Sequence, residues 1–240
     1  MEDYYTSTYV FDTMGTTIPE QAVKELNELF FRHAAELGYG KAEVEELKAR
    51  RKADPKDPEF LRRSGPGKVK LLESGLCTIE LYPDVRPAFE SVERDGSEIL
   101  IFSKGAQDLV TAIYKQNKLM ELIGEGNIIS STGFKTTDKT DPECYRELDK
   151  LIDARERRYI HCYMTDDAEE ADACIRALNR VPVFYINRGQ KRKTELKGPA
   201  EVSGLMEAVH ELWIADAEGE HPIHSKHRLP APKPGDTDYD

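Results

Sequence analysis

Four short stretches of this chain place a reactive or charged side chain directly after an apolar run. Tyr9-Val10-Phe11 is followed by Asp12 and then by the turn Thr13-Met14-Gly15-Thr16-Thr17. A carboxylate closing a buried strand is expensive to hold without a partner, and Gly15 lets the backbone fold sharply back over it. An aspartate presented this way suits a nucleophile or a metal ligand. Ile99-Leu100-Ile101-Phe102 leads into Ser103-Lys104-Gly105. Asn127-Ile128-Ile129-Ser130 leads through a loop to Lys139, and the run over 159–164 ends in Thr165-Asp166-Asp167. A nucleophilic acid, a hydroxyl, an ammonium and a second acid cluster, if brought together, suit a phosphate. The hydroxyl and the glycine-flanked amides can hydrogen-bond phosphoryl oxygens, the lysine offsets their charge, and paired acids hold Mg²⁺.

The elements that must position these residues follow from hydrophobic spacing. Beyond residue 83 the pattern predicts helices near 84–95, 105–122, 141–154, 168–179 and 200–215, with strands at 98–102, 127–130, 159–164 and 182–186. Short apolar runs alternating with amphipathic helices predict βαβ units and a parallel sheet. The fold expected is α/β, a three-layer Rossmann-like core built from residues 1–17 and 83–215. In such sheets ligands bind beyond the carboxyl ends of the strands, where the four stretches would meet. Residues 18–82 break the alternation and read as an inserted helical cap. Within it, 20–37 carries Ala22, Val23, Leu26, Leu29, Phe30 and Ala34 at helical spacing, and 41–52 is a charged helix stopped by Asp54-Pro55-Lys56-Asp57-Pro58. Ser64-Gly65-Pro66-Gly67 predicts a turn. Residues 216–240 are poor in apolar side chains and read as a flexible tail.

Composition narrows the function classes. A net charge of -11 argues against nucleic acid as the main partner. No apolar run approaches the roughly 18 residues that span a bilayer, and Met1-Glu2-Asp3-Tyr4-Tyr5 does not read as a secretory signal. The four cysteines are scattered and form no C-x-x-C pair, so the expectation is a cytoplasmic protein with reduced thiols.

The four stretches resemble the motifs of the haloacid dehalogenase superfamily, which is mostly phosphatases. Asp12-Thr13-Met14-Gly15-Thr16-Thr17 is similar to the first motif and Phe102-Ser103-Lys104-Gly105 to the second. Lys139-Thr140-Asp141-Pro142 is similar to the third and Asp166-Asp167-Ala168-Glu169-Glu170 to the fourth. The detail resembles the enolase-phosphatases, which share the doubled threonine before Ile18-Pro19, a Tyr-Pro-Asp as in Tyr82-Pro83-Asp84, and a Glu-x-Tyr-Arg as in Glu143-Cys144-Tyr145-Arg146. The resemblance implies catalysis by Asp12, Ser103 and Lys139 on a small phosphorylated metabolite. It implies Mg²⁺ held by Asp12, the Met14 backbone carbonyl and Asp166, with Asp167 and Glu170 as further candidates. Thr16, Ser103, Lys104, Gly105 and Lys139 are candidate substrate contacts, and Glu20 lies close enough past the Thr16-Thr17 hinge to join them.

Met14 departs from the pattern. Phosphatases of the superfamily carry an acid at that position, which protonates the leaving oxygen and then activates water. Methionine does neither, and general acid–base catalysis contributes about 10²- to 10⁴-fold. Three readings follow. One is a hydrolase whose leaving group needs no protonation, or whose proton comes from the substrate or from the cap, where Lys48, Lys52, Lys68 and Lys70 are candidates. Another is a carbon–halogen hydrolase, a class that needs no metal and carries no acidic fourth motif. The third is a weakly catalytic protein that binds a phosphate ligand or a partner. Other features read as bland: His221, His224 and His227 in the tail, the basic run Lys191-Arg192-Lys193, His33 beside an apolar stripe, and Cys144 and Cys162 in core elements.

Overall fold

Six short runs rich in β-branched and aromatic residues pair as one wholly parallel sheet in the computed structural model, which describes residues 6–55, 57–155, 158–189 and 200–218. The strands are β1 (Thr6–Phe11), β2 (Glu98–Ser103), β3 (Ile128–Ser130), β4 (Arg158–Thr165), β5 (Val183–Ile186) and β6 (Ala200–Val202). Their order is β3-β2-β1-β4-β5-β6, which puts β1 at the centre. Phe11 at its end is level with Ile101 of β2 and Met164 of β4. Asp12, Ser103 and Thr165 therefore leave the sheet on one edge.

Strand side chains alternate between faces, and both faces are buried. Tyr9, Phe11, Ile99, Ile101, Met164 and Phe184 pack under α4 (Val85–Arg94), α5 (Gln107–Gln116) and α9 (Leu205–Glu218). Val10, Leu100, Phe102, Tyr163 and Val183 pack under α7 (Pro142–Asp153) and α8 (Ala168–Ala177). The result is the expected three-layer α/β fold. Three boundaries differ from the sequence reading. The helix expected over 105–122 is split into α5 and the short α6 (Met120–Ile123), because Lys118 takes a positive φ of 54°. β6 is an additional three-residue strand, too short to show a period. α9 continues through Glu218, past residue 216 where a tail was expected, and the rest of that tail lies outside the described residues. Among the described residues no helix is long and apolar enough to cross a membrane.

Between β1 and α4 run three helices, α1 (Glu20–His33), α2 (Lys41–Ala53) and α3 (Pro58–Glu73). They share an apolar cluster of Leu26, Phe30, Leu47, Phe60, Leu71 and Leu72, joined by Ile18 from the β1 loop and Ile113 from α5. The turn expected at Ser64-Gly65-Pro66-Gly67 is not there. α3 runs straight through these residues. Tyr39 explains how: its hydroxyl donates to the Arg63 carbonyl at 2.8 Å and accepts from the Gly67 amide at 3.2 Å, bridging the backbone pair that Pro66 disturbs. A side chain at Gly67 would collide with Phe30 and Tyr39, so close packing requires the glycine. Tertiary contacts outweigh the local turn preference.

Candidate active site

Asp12 continues the ladder one residue past β1, its amide donating to the Met164 carbonyl at 2.9 Å. Its side chain therefore emerges at the carboxyl edge of the sheet. The loop then closes on itself. Thr17 and Ile18 amides both donate to the Thr13 carbonyl at 2.8 Å, and the Gly15 amide donates to the Ile18 carbonyl at 2.7 Å. Gly15 has a φ of +82°, and a Cβ there would overlap the Asp166 carboxylate. Glycine is required twice, for the backbone conformation and for the close approach. Met14 sits in this turn, its backbone paired with Ile18.

Lys139 is fully buried and reaches across to Asp12. Its ammonium also pairs with Glu170 at 2.7 Å, donates to the Phe102 carbonyl at 3.2 Å and lies over the Phe102 and Tyr163 rings. Burial alone would push this lysine down, but the carboxylates of Asp12 and Glu170 outweigh it and hold Lys139 well above the ordinary lysine range. Burial pushes Asp12 up to about 6 against the opposing pull of Lys139. Glu170 is held below the usual range despite burial, because Lys139 and Lys104 both face it. Lys104 reaches Glu170 at 3.0 Å and Asp138 at 3.4 Å. Glu170 thus lies between two ammoniums.

The adjacent acids of the fourth strand end separate cleanly. Asp167 caps α8, accepting from the amides of Glu169 at 3.0 Å and Glu170 at 3.3 Å. Asp166 turns toward Asp12. It accepts from the Thr16 hydroxyl at 3.0 Å, and its own amide donates back to that hydroxyl at 2.9 Å. Burial, reinforced by the Asp12 charge, pushes Asp166 up to about 7. Thr16, expected to touch substrate, is wholly buried and spends its hydroxyl on Asp166. Ser103 is also buried, its hydroxyl 2.8 Å from that of Thr13 and accepting from the Gly105 amide at 3.0 Å. Glu20 begins α1 with a side chain 45% exposed and pairs with Lys24 at 3.5 Å, so it stands at the rim.

Sequence reasoning missed Arg188. Its guanidinium donates twice to the Thr16 carbonyl, at 2.7 and 3.2 Å, pairs with Asp84 at 3.0 Å and stacks on Tyr82 at 3.8 Å. It braces the Asp12 loop from behind. Tyr82 and Asp84 were visible as a motif, but nothing local marked an arginine after β5 as their partner. Of the bland features, His33 pairs with Glu36 at 2.7 Å. Cys144 is buried and its thiol is pushed up to about 12 by that burial; Cys162 is buried and likewise pushed well above the ordinary thiol range. Neither is an activated thiol. Residues 191–193 and the three tail histidines lie outside the described residues.

Among the described residues no three His, Cys, Asp or Glu side chains group to hold a metal ion. Two carboxylates and a backbone carbonyl make a different and sufficient set for Mg²⁺, a hard cation that keeps several waters. Asp12 and Asp166 fit it. They face each other with like charge, Asp166 has no ion pair with a cationic side chain among the described residues, and the bare Gly15 backbone lies against its carboxylate.

Neither a protein-family model nor a curated protein matches this sequence. Solved structures do resemble it in fold. The UTR4 protein of Saccharomyces cerevisiae aligns with a TM-score of 0.61 at 16% identity, covering 83% of this chain and 98% of that one. CbbY of Rhodobacter sphaeroides, solved with phosphate, gives 0.57 at 18% identity over 83% and 95% of the two chains. The L-2-haloacid dehalogenase of Xanthobacter autotrophicus with chloropropionic acid covalently bound gives 0.57 at 13% identity over 87% and 98%. The chain shares its three-layer α/β fold with these proteins.

Proposed function

We propose that this chain is a Mg²⁺-dependent hydrolase that transfers a phosphoryl group to Asp12 and then to water, acting on a small phosphorylated metabolite. The observation that carries the reading is the opposition of Asp12 and Asp166, the first driven up by burial and the second by burial and the Asp12 charge. A cation between them relieves the repulsion. Asp12, Asp166 and the Met14 carbonyl would hold Mg²⁺, which supplies charge neutralisation for an incoming phosphoryl group. Lys139 fixes the Asp12 carboxylate and keeps it ionised at that ion, which a nucleophile requires. The Ser103 hydroxyl, positioned by the Gly105 amide that donates to it, would be the hydrogen-bond donor to phosphoryl oxygens on the other side.

In this reading the Asp12 oxygen attacks phosphorus and the bond to the leaving oxygen breaks with its electron pair. Met14 offers no proton to that oxygen, so leaving groups stable as anions, such as aryl oxides and carboxylates, are turned over fastest. Water then cleaves the aspartyl phosphate and restores Asp12. The helices α1–α3 act as a cap that confers specificity. The test is a turnover screen with and without Mg²⁺ over aryl, acyl and alkyl phosphates and 2-haloacids. Mg²⁺-dependent release of phosphate from aryl or acyl phosphates is expected. Metal-independent release of halide from a 2-haloacid, with no phosphate release, would defeat the reading.

A further inference from the structure

Helix α3 places an ammonium inside the apolar cluster of the three-helix insertion. Lys68 is 2% exposed, with its Nζ 4.4 Å from the centroid of the Phe60 ring and 5.9 Å from that of Phe30. Among the described residues it makes no hydrogen bond and no ion pair, although buried charges are ordinarily paired. The insertion has acids to spare, but they are used elsewhere: Glu43 and Glu46 hold Arg63, Glu46 and Asp57 hold Arg50, and Glu59 holds Arg62. The other charge that acts on Lys68 is positive, that of Arg51. Two aromatic faces offset part of the burial. A methionine would fill the same space at no such penalty.

A second group in the insertion is also left over. Asn27 of α1 is 9% exposed, and its carboxamide oxygen has no partner. It lies one turn before Phe30, the ring that Lys68 approaches, and so shares that face of α1. A carboxamide offers either an acceptor or a donor to a ligand. The insertion adjoins the site already described. Gly65, one turn before Lys68, packs toward Ala106 of the Ser103-Lys104-Gly105 loop, where a Cβ would stand 3.4 Å from that of Ala106. The cluster around Lys68 also takes in Ile18, two residues beyond Thr16.

We propose that Lys68, with Asn27 on the Phe30 face of α1, binds a carboxylate of the substrate, so that the substrate class is a small phosphorylated carboxylic acid. Its phosphoryl group goes to Asp12 and its carboxylate to the insertion. The inference rests on the phosphoryl-transfer reading above. Burial and then Arg51 push Lys68 down to about 7, and a carboxylate within hydrogen-bonding distance reverses that effect.

The test uses non-hydrolysable phosphonates and the full chain with Mg²⁺. Phosphonoacetate, 3-phosphonopropionate and 4-phosphonobutyrate are each titrated calorimetrically against the alkylphosphonate of equal carbon count. At least one acid should bind roughly tenfold or more tightly than its alkyl counterpart, the effect of one charge-assisted hydrogen bond. Lys68→Met should erase that preference, leave alkylphosphonate affinity unchanged, and leave the ligand-free Tm equal or higher. Equal affinity within every pair, or a preference that survives Lys68→Met, overturns the inference and spares the phosphoryl reading. A variant that fails to fold or loses much of its Tm marks Lys68 as a structural staple and also overturns it. If no phosphonate binds at all, the phosphoryl reading falls and takes this inference with it.

Discussion

Among the described residues two lysines are buried, one in the sheet core and one in the helical insertion, and their fates are opposite. Lys139 pairs with Asp12 and Glu170 and is held above the ordinary lysine range; Lys68 faces aromatic rings with no counter-charge among the described residues and falls to about 7. The burial is nearly equal, so burial is not what separates them. The difference is whether the fold brings a counter-charge. In the core, strand ends fix where acids stand, and the register of β1 against β2 and β4 leaves Asp12 and Asp166 on one edge. In the insertion, the helices turn their carboxylates outward to Arg50, Arg62 and Arg63.

The sharpest way to break that comparison is to remove each ammonium in turn. Lys139→Met leaves Asp12 and Glu170 unpaired in the core and should cost about 3–5 kcal/mol of stability, read from urea unfolding. Lys68→Met should cost nothing. Equal losses would show that the two lysines play the same structural part. Next in size is Met14→Asp, which should raise hydrolysis of alkyl phosphates about 10²- to 10⁴-fold at saturating Mg²⁺. Activated leaving groups should gain less. A folded, Mg²⁺-binding variant with no gain on any ester would remove the missing-acid explanation.

The two acids after β4 offer a smaller contrast within the core. Asp167→Ala removes an N-cap and should cost about 1 kcal/mol while Mg²⁺ still binds. Asp166→Ala should abolish Mg²⁺ binding with little loss of stability. The reverse pattern would exchange their roles. The smallest expected effect concerns pH. Asp166 is held near 7 in the folded chain against 3.8 ordinarily, so the folded state keeps its proton longer than the unfolded one. Metal-free stability should therefore suffer no penalty from this group below about pH 4, lose ground as pH rises, and bear the full penalty above about 7. Asp166→Asn should raise the metal-free Tm more at pH 8 than at pH 5. A larger gain at pH 5 would reverse the sign and contradict the burial argument.

The strand ends were legible because a polar residue closing a short apolar run is a local signal, and Asp12, Ser103 and the Thr165-Asp166 pair each gave it. Lys139 was legible only as the start of a motif; its burial between two acids needed the fold. Asp166 and Asp167 could not be told apart, because which neighbour caps α8 depends on where the helix begins. Arg188 and Tyr39 act across 172 and 24 residues of chain respectively, beyond any local pattern. Tyr39 is also why Ser64-Gly65-Pro66-Gly67 misled: the residues favour a turn, and one distant hydroxyl keeps them helical. Lys68 stood among several lysines of the insertion until its burial singled it out.

The central claim is that Asp12 takes up a phosphoryl group. The direct measurement is to mix the full chain with Mg²⁺ and an aryl phosphate, quench it in acid within its first turnovers, and map the modified peptides by mass spectrometry. The account predicts a phosphoryl group on the peptide that carries Asp12, absent without Mg²⁺ and absent in Asp12→Asn. Turnover of the aryl phosphate by Asp12→Asn, or a phosphoryl group found on a different residue, would contradict it.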